Sequence, residues 1–191
     1  MALPILRDHV LVGGTALALR HGHRTSVDLD LFSTEPFDPN AVAAELAKEF
    51  GSSFTWEPAR RVRFALFCFV GDVKVDIVND KHPSIAPLEL EDGIRMFADD
   101  DIAAMKVQAI LGRGKKKDFW DLNELLLHHG LDRILGWHAA KYPHQQLAIS
   151  IPNALVYFAD ADTSERPVCL KGRTWETVKD SIVSHVRNYL R

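Results

Sequence analysis

Cysteine is almost missing from this chain: Cys68 and Cys169 are the only two in 191 residues, far apart and without metal-ligand spacing. That excludes a disulfide scaffold and a cysteine-built zinc site, and it fits a reduced chain. No apolar run approaches the roughly 18 residues a spanning helix needs, and Arg7, Asp8 and His9 interrupt what would be the core of a signal peptide. The expectation is a cytoplasmic protein without a membrane anchor. Charge of one sign is also lacking, since 23 Lys and Arg face 26 Asp and Glu for a net −3. Any polyanion site must therefore be a local patch rather than a global field. There is no internal repeat, no low-complexity tract and no Ser/Gly-rich linker. A nucleophile elbow is absent, and "RGKKKD" fails as a phosphate loop because Ala109 and Lys116 stand where Gly and Ser or Thr are required.

What is present is an ordinary globular composition, 47% hydrophobic and 26% charged. "HVLV" before Gly13 suits a buried strand, and "ALALRHG" reads as one or two helical turns stopping at Gly22. "SVDLDLF" alternates, with Val27, Leu29 and Leu31 on one face and Asp28 and Asp30 on the other. "PNAVAAELAKEFG" predicts a sheet-covering helix capped by Asp38 or Asn40. "RVRFALFCFV" and "VKVDIV" around Gly71-Asp72 predict a β-hairpin with Asp76 on its second arm. From Asp99 onward the pattern turns helical, including "QQLAISIPNALVYFADA" as one helix and Phe119, Trp120, Trp137 and Trp175 as its core. The fold class expected is α+β: a small mixed β-sheet flanked by helices over residues 1–98, then an all-helical region over 99–191, packed as one unit.

The chemistry concentrates in "VGGTALALRHGHRTSVDLDLF". Asp28 and Asp30 leave one strand face with Cα atoms about 6.5 Å apart, near enough to share divalent ions. Asp76 can supply a third carboxylate; three together repel unless a cation neutralises them, and Mg²⁺ (or Mn²⁺) takes such hard oxygen ligands. Gly13 and Gly14 at a strand-to-helix turn let a polyphosphate approach backbone N–H groups, with Thr15 adding a hydroxyl. A phosphate-holding turn followed by a metal-holding strand is what nucleotidyl transfer requires.

Val12-Gly13-Gly14, a spacer of 13 residues, then Asp28-Leu29-Asp30-Leu31 resembles the signature of the DNA polymerase beta-like nucleotidyltransferases. Within that superfamily the chain is similar, over about Val10 to His128, to the AbiEii/AbiGii-type toxin nucleotidyltransferases. Their second block has a helical lysine and a Lys-Asp-x-x-Asp-Leu, here Lys106 and Lys117-Asp118-Phe119-Trp120-Asp121-Leu122. The resemblance implies a nucleotidyltransferase fold with NTP and Mg²⁺, transfer of a nucleoside monophosphate to an acceptor such as tRNA, and a cognate antitoxin. By the same resemblance Lys106 touches the triphosphate, and Asp118 or Asp121 completes the active site.

Other readings of these residues stay open. Asp28 and Asp30 also fit a solvated strand face, and Asp118 and Asp121 fit ion pairs with Arg113, Lys115 or Lys117. Lys106 sits beside a stripe expected to be Ile102, Met105 and Ala109. Arg113, Lys115, Lys116 and Lys117, with Arg20, Arg24, Arg60, Arg61 and Arg63, make either an RNA-facing rim or a solvated turn. His21, His23, His128 and His129 lack zinc spacing. The alternatives to a tRNA-directed toxin are a small-molecule nucleotidyltransferase of the antibiotic-modifying kind and a catalytically silent module that keeps the fold.

Overall fold

The computed structural model describes residues 3–57 and 63–191, so Arg60 and Arg61 lie outside the described residues. The chain divides into two compact units, Met1–Ala16 with Ser26–His82 and Leu88–Phe97, and Leu17–Thr25 with Pro83–Pro87 and Ala98–Arg191. The last crossing falls between Phe97 and Ala98. Two short earlier segments also group with the helices.

The first unit is built on a seven-stranded mixed sheet. Its strands are β1 (Val10–Val12), β2 (Leu29–Ser33), β3 (Phe54–Trp56), β4 (Ala65–Val70), β5 (Val73–Asn79), β6 (Glu89–Glu91) and β7 (Ile94–Met96), in the order β3-β4-β5-β2-β1-β7-β6. Strand β2 runs parallel to β5 and antiparallel to β1, and β1 runs parallel to β7. The predicted hairpin forms, with Val70 opposite Val73 and Gly71 at φ 59°, the left-handed backbone that a two-residue turn asks of its first position.

Register gives the two faces of this sheet opposite characters. Leu66, Ile77, Leu31 and Leu11 lie side by side across four strands and are all 5% exposed or less. Each such side chain contributes about 1.5–3 kcal/mol by leaving water. Helix α2 (Pro39–Phe50) buries Val42, Ala43 and Leu46 and packs on β3 and β4. Asp38 caps it by accepting from the Asn40 N–H at 2.9 Å, and Gly51 ends it at φ 54°. One residue along each strand, the opposite face carries the row Val12, Asp30, Asp76 and Phe67. A sheet with one packed and one polar face is ordinary for antiparallel pairs; two aligned acids at its centre are not.

Helix α1 (Gly13–His21) follows β1 without a linker. The second unit takes its C-terminal end together with α3 (Asp99–Gly112), α4 (Lys116–His128), α5 (Leu131–Lys141), α6 (Ile151–Leu155), α7 (Ala159–Asp162) and α8 (Trp175–Tyr189). Helix α4 is buried from Asp118 through Leu126, around Phe119 and Trp120, and Trp175 stacks on Trp120 at 5.6 Å. Thr174 and Thr177 form a reciprocal cap at the start of α8.

Four local expectations are corrected here. The buried band of α3 holds Ile102, Ala103, Lys106, Val107 and Ile110, so Lys106 lies within the band, and Met105 and Ala109 flank it. Residues 145–161 do not form one helix: Pro152 has no N–H to give and is tolerated only in a first turn, so α6 begins at Ile151, and Val156–Phe158 separates it from α7. Trp137 is half-buried beside His129 and Arg133 and takes no part in the aromatic core. Strand β2 starts at Leu29, with Val27 70% exposed before it, so the apolar face is shorter than the alternation suggests. Among the described residues no helix is long and apolar enough to cross a membrane.

Candidate active site

In the first unit the glycine bend lies against the Asp30 carboxylate. Gly13 adopts φ 72°, which L side chains rarely accept, and a Cβ built on it would lie 2.7 Å from Asp30 Oδ2. Glycine is required by the backbone angle, and with any other residue the Asp30 carboxylate would have to turn aside. Val12 is the register partner of Asp30, and Asp30 is that of Asp76. Asp28, immediately ahead of β2, lies two residues from Asp30, and all three acids are half-buried.

Neighbours hold this group in place. The Thr15 hydroxyl, expected to face a phosphate, is buried; it donates to the Asp28 carbonyl oxygen and lies 2.9 Å from Ser26 Oγ. It thereby pins the start of α1 to the chain entering β2. Lys74, which the sequence reading passed over, forms an ion pair with Asp76 through Oδ2. The signal was there to find, since Lys-x-Asp on a strand places both side chains on one face. Asp76 Oδ1 is buried and lacks a hydrogen-bond partner. A buried carboxylate oxygen without a donor is costly unless something else satisfies it.

In the second unit Lys106, Asp118 and Asp121 come together. Lys106 Nζ lies 2.7 Å from Asp121 and 3.3 Å from Asp118, and both carboxylates are fully buried. Arg24 grips Asp121 with a two-pronged fork, Nε to Oδ1 at 2.6 Å and Nη2 to Oδ2 at 2.8 Å, and His23 Nε2 adds a third contact at 2.7 Å. Arg113 reaches Asp118 at 3.1 Å. Burial resists ionisation of both acids, yet Lys106 with Arg24 and His23 holds Asp121, and Lys106 with Arg113 holds Asp118, below the usual carboxylate range. Sequence spacing alone suggested pairing of Asp118 and Asp121 with Arg113, Lys115 or Lys117; Arg113 does pair with Asp118, and the other partners are Lys106 of α3 and His23 and Arg24 of the segment after α1.

Arg20 and Arg24 accordingly leave the list of rim cations. Arg20 donates to Asp99 at 2.7 Å, and His21 and His129 bind the same carboxylate, which they hold low against its burial. Lys116 Nζ donates to the carbonyl oxygens of Asp162 and Ser164. The histidines gather as their spacing did not foretell: ligand atoms of His21, Glu124 and His128 lie within 4.8 Å of one another. Glu124 is already held by Lys171 at 2.7 Å, Arg173 at 2.5 Å and His128 at 3.1 Å. Against the penalty of burial, these donors bring its pKa down to about 2. That cluster is an ion network.

A family model described as the nucleotidyl transferase AbiEii toxin of type IV toxin–antitoxin systems matches residues 2–146. The chain belongs to the AbiEii toxin family. It is a nucleotidyltransferase with the toxin character of that family, and a type IV system pairs such a toxin with an antitoxin. Enzymes of this class use an NTP and a divalent metal. The AbiEii chain described here is also 32% identical to the uncharacterized protein aq_aa25 of Aquifex aeolicus strain VF5, over its whole length and 92% of the relative's. Two solved structures share the fold. MenT4, the nucleotidyltransferase toxin Rv2826c of Mycobacterium tuberculosis H37Rv, has a TM-score of 0.60 at 16% identity over 95% of this chain and 76% of its own. JHP933 of Helicobacter pylori has a TM-score of 0.54 at 16% identity, over 95% and 83%.

Proposed function

We propose that this AbiEii-family protein transfers a nucleoside monophosphate from an NTP to an RNA acceptor, tRNA being the class expected, with Mg²⁺ held by Asp28, Asp30 and Asp76. The observation that carries the reading is the contact between the Gly13 bend and Asp30, in register with Asp76. A triphosphate can lie against the backbone only where no Cβ intervenes, and there it meets the acids directly. The unpartnered Asp76 Oδ1 fits a cation, because hard anionic oxygen is the ligand Mg²⁺ prefers and a metal would supply the missing partner. Bound at these carboxylates, the metal would supply charge neutralisation for the phosphates.

The chain's own groups do the rest. Gly13 and Gly14, which carry no Cβ, would turn the backbone N–H groups at the start of α1 to the phosphates. Thr15 fixes Asp28, and Lys74 orients Asp76. The acceptor hydroxyl oxygen attacks the α-phosphorus, the new P–O bond replaces the bond to pyrophosphate, and the hydroxyl proton passes to Asp76. Lys106, Asp118 and Asp121 are assigned a positioning role. Within the second unit they hold Arg24 and with it the segment that follows α1.

The test is incubation with total tRNA and each α-labelled NTP in turn, comparing wild type with Asp28→Ala and Asp30→Ala. Label is expected on RNA with wild type alone. Label persisting in both variants would overturn the site, and label confined to small acceptors would overturn the RNA assignment.

A further inference from the structure

Two large aromatic side chains stand exposed on the acidic face of the sheet, where packing cannot account for them. Phe67 is 39% exposed and Phe69 46% exposed, whereas Leu66 and Cys68, which alternate with them on β4, are buried to 1% and 2%. Register places Phe67 beside Asp76 and Phe69 beside Lys74, so the aromatics continue the very row that carries the carboxylates. A single exposed apolar side chain needs no explanation. Two at successive outward positions of one strand, flanking an acid and its lysine, form a platform.

The order of residues in that row assigns its substrate. Reading across the sheet it runs Val12, Asp30, Asp76, Phe67. With strands about 4.8 Å apart, Phe67 lies roughly 5 Å beyond Asp76 and about 14 Å from the strand that ends in the glycine bend. Nucleotidyl transfer is an in-line displacement, so the attacking hydroxyl and the departing pyrophosphate occupy opposite sides of the α-phosphorus. The triphosphate is held at the glycine end, which leaves the opposite end, past Asp76, to the acceptor. A flat apolar surface there suits a planar base, and stacking of bases on aromatic rings is the general way proteins hold unpaired RNA.

Resting on the nucleotidyltransferase reading above, we propose that Phe67 and Phe69 stack the terminal bases of a single-stranded RNA 3′ end and so aim its hydroxyl at the site of Asp76. They are positioning residues for the acceptor. Neither takes part in holding the NTP.

The experiment measures KM separately for total tRNA and for the preferred NTP in wild type, Phe67→Ala, Phe69→Ala, the double variant and Phe67→Trp. Stacking contributes about 1–3 kcal/mol per base, so each alanine variant should raise the RNA KM about 5- to 150-fold. The NTP KM should stay within about twofold, and Phe67→Trp should restore the RNA value. An unchanged RNA KM in the double variant, or a rise in the NTP KM instead, overturns the platform. A second readout separates this failure from failure of the transfer reaction itself: fluorescence anisotropy of a labelled single-stranded RNA bearing a 3′-hydroxyl, without NTP. If wild type transfers no label, weaker oligonucleotide binding by the double variant still supports the platform, and equal binding by both proteins rejects it.

Discussion

Asp121 can be tested as a buried structural partner against a reacting group, because the two roles predict different effects of one substitution. Its carboxylate is wholly inside, forked by Arg24, bonded by His23 and 2.7 Å from Lys106 Nζ. Asp121→Ala removes the anion and leaves the Lys106 ammonium and the Arg24 guanidinium buried with only Asp118 near Lys106. Breaking a buried pair from one side costs about 3–5 kcal/mol, since the cost is that of an uncompensated interior charge. For a domain of this size each kcal/mol lowers the melting temperature by about 2–4 °C, so a fall of roughly 6–20 °C is expected. A stability of about 5–15 kcal/mol would be eroded by a large fraction. The assay is calorimetric melting of both proteins at pH 7.5, with label transfer measured well below either transition. A variant that melts within about 2 °C of wild type yet transfers nothing would refute the reasoning and make Asp121 a chemical participant.

Four further outcomes follow from the same structure. Gly13→Ala should weaken Mg²⁺ binding by isothermal titration, because the new Cβ meets Asp30 Oδ2 at 2.7 Å and turns that carboxylate aside; left-handed strain adds only about 1–2 kcal/mol, so the protein should stay folded. Undiminished Mg²⁺ affinity would disprove the contact. Glu124 has its pKa lowered to about 2 in the fold from an ordinary 4.5, so its stabilisation is complete above about pH 4.5 and is lost as pH falls toward 2. The gap in urea midpoint between wild type and Glu124→Gln should therefore be large at pH 7 and close in acid; a gap independent of pH would contradict the ion network. Burial pushes the Cys68 thiol up to about 11, whereas at the more exposed Cys169 hydrogen bonds outweigh burial and bring the pKa down. Iodoacetamide on native protein at pH 8 should label Cys169 and spare Cys68, as peptide mass mapping would check. Lys141→Met should destabilise by about 3–5 kcal/mol in denaturant titration, as it strips the fully buried Asp101 of its ammonium at 2.8 Å; a smaller loss would mean the Ile85 and Ala86 N–H groups suffice.

Much of the first unit was legible in linear order because its determinants are local. Gly13 and Gly14 end a buried strand, Asp38 and Pro39 open a helix, and Gly71-Asp72 closes a hairpin; each rests on the conformational freedom of one or two residues. Alternation put Asp28 and Asp30 on one face without any partner being known. The helical half was less legible where burial overrode pattern. Lys106 looked peripheral to an apolar stripe, yet it occupies the middle of the buried band, because two carboxylates from a neighbouring helix satisfy its charge.

By itself the order of residues determined which groups could carry the chemistry: a double glycine after a strand, alternating acids, and a lysine with Lys-Asp-x-x-Asp further on. Tertiary structure alone decided which of them meet. It set Asp30 against Gly13, aligned Asp76 with Asp30, exposed Phe67 beside them, and closed Lys106, Asp118 and Asp121 into a buried network with Arg24. Spacing along a chain fixes which face a side chain takes on its own element, whereas strand register and helix packing fix its neighbour. Charges and aromatics draw their function from that neighbour.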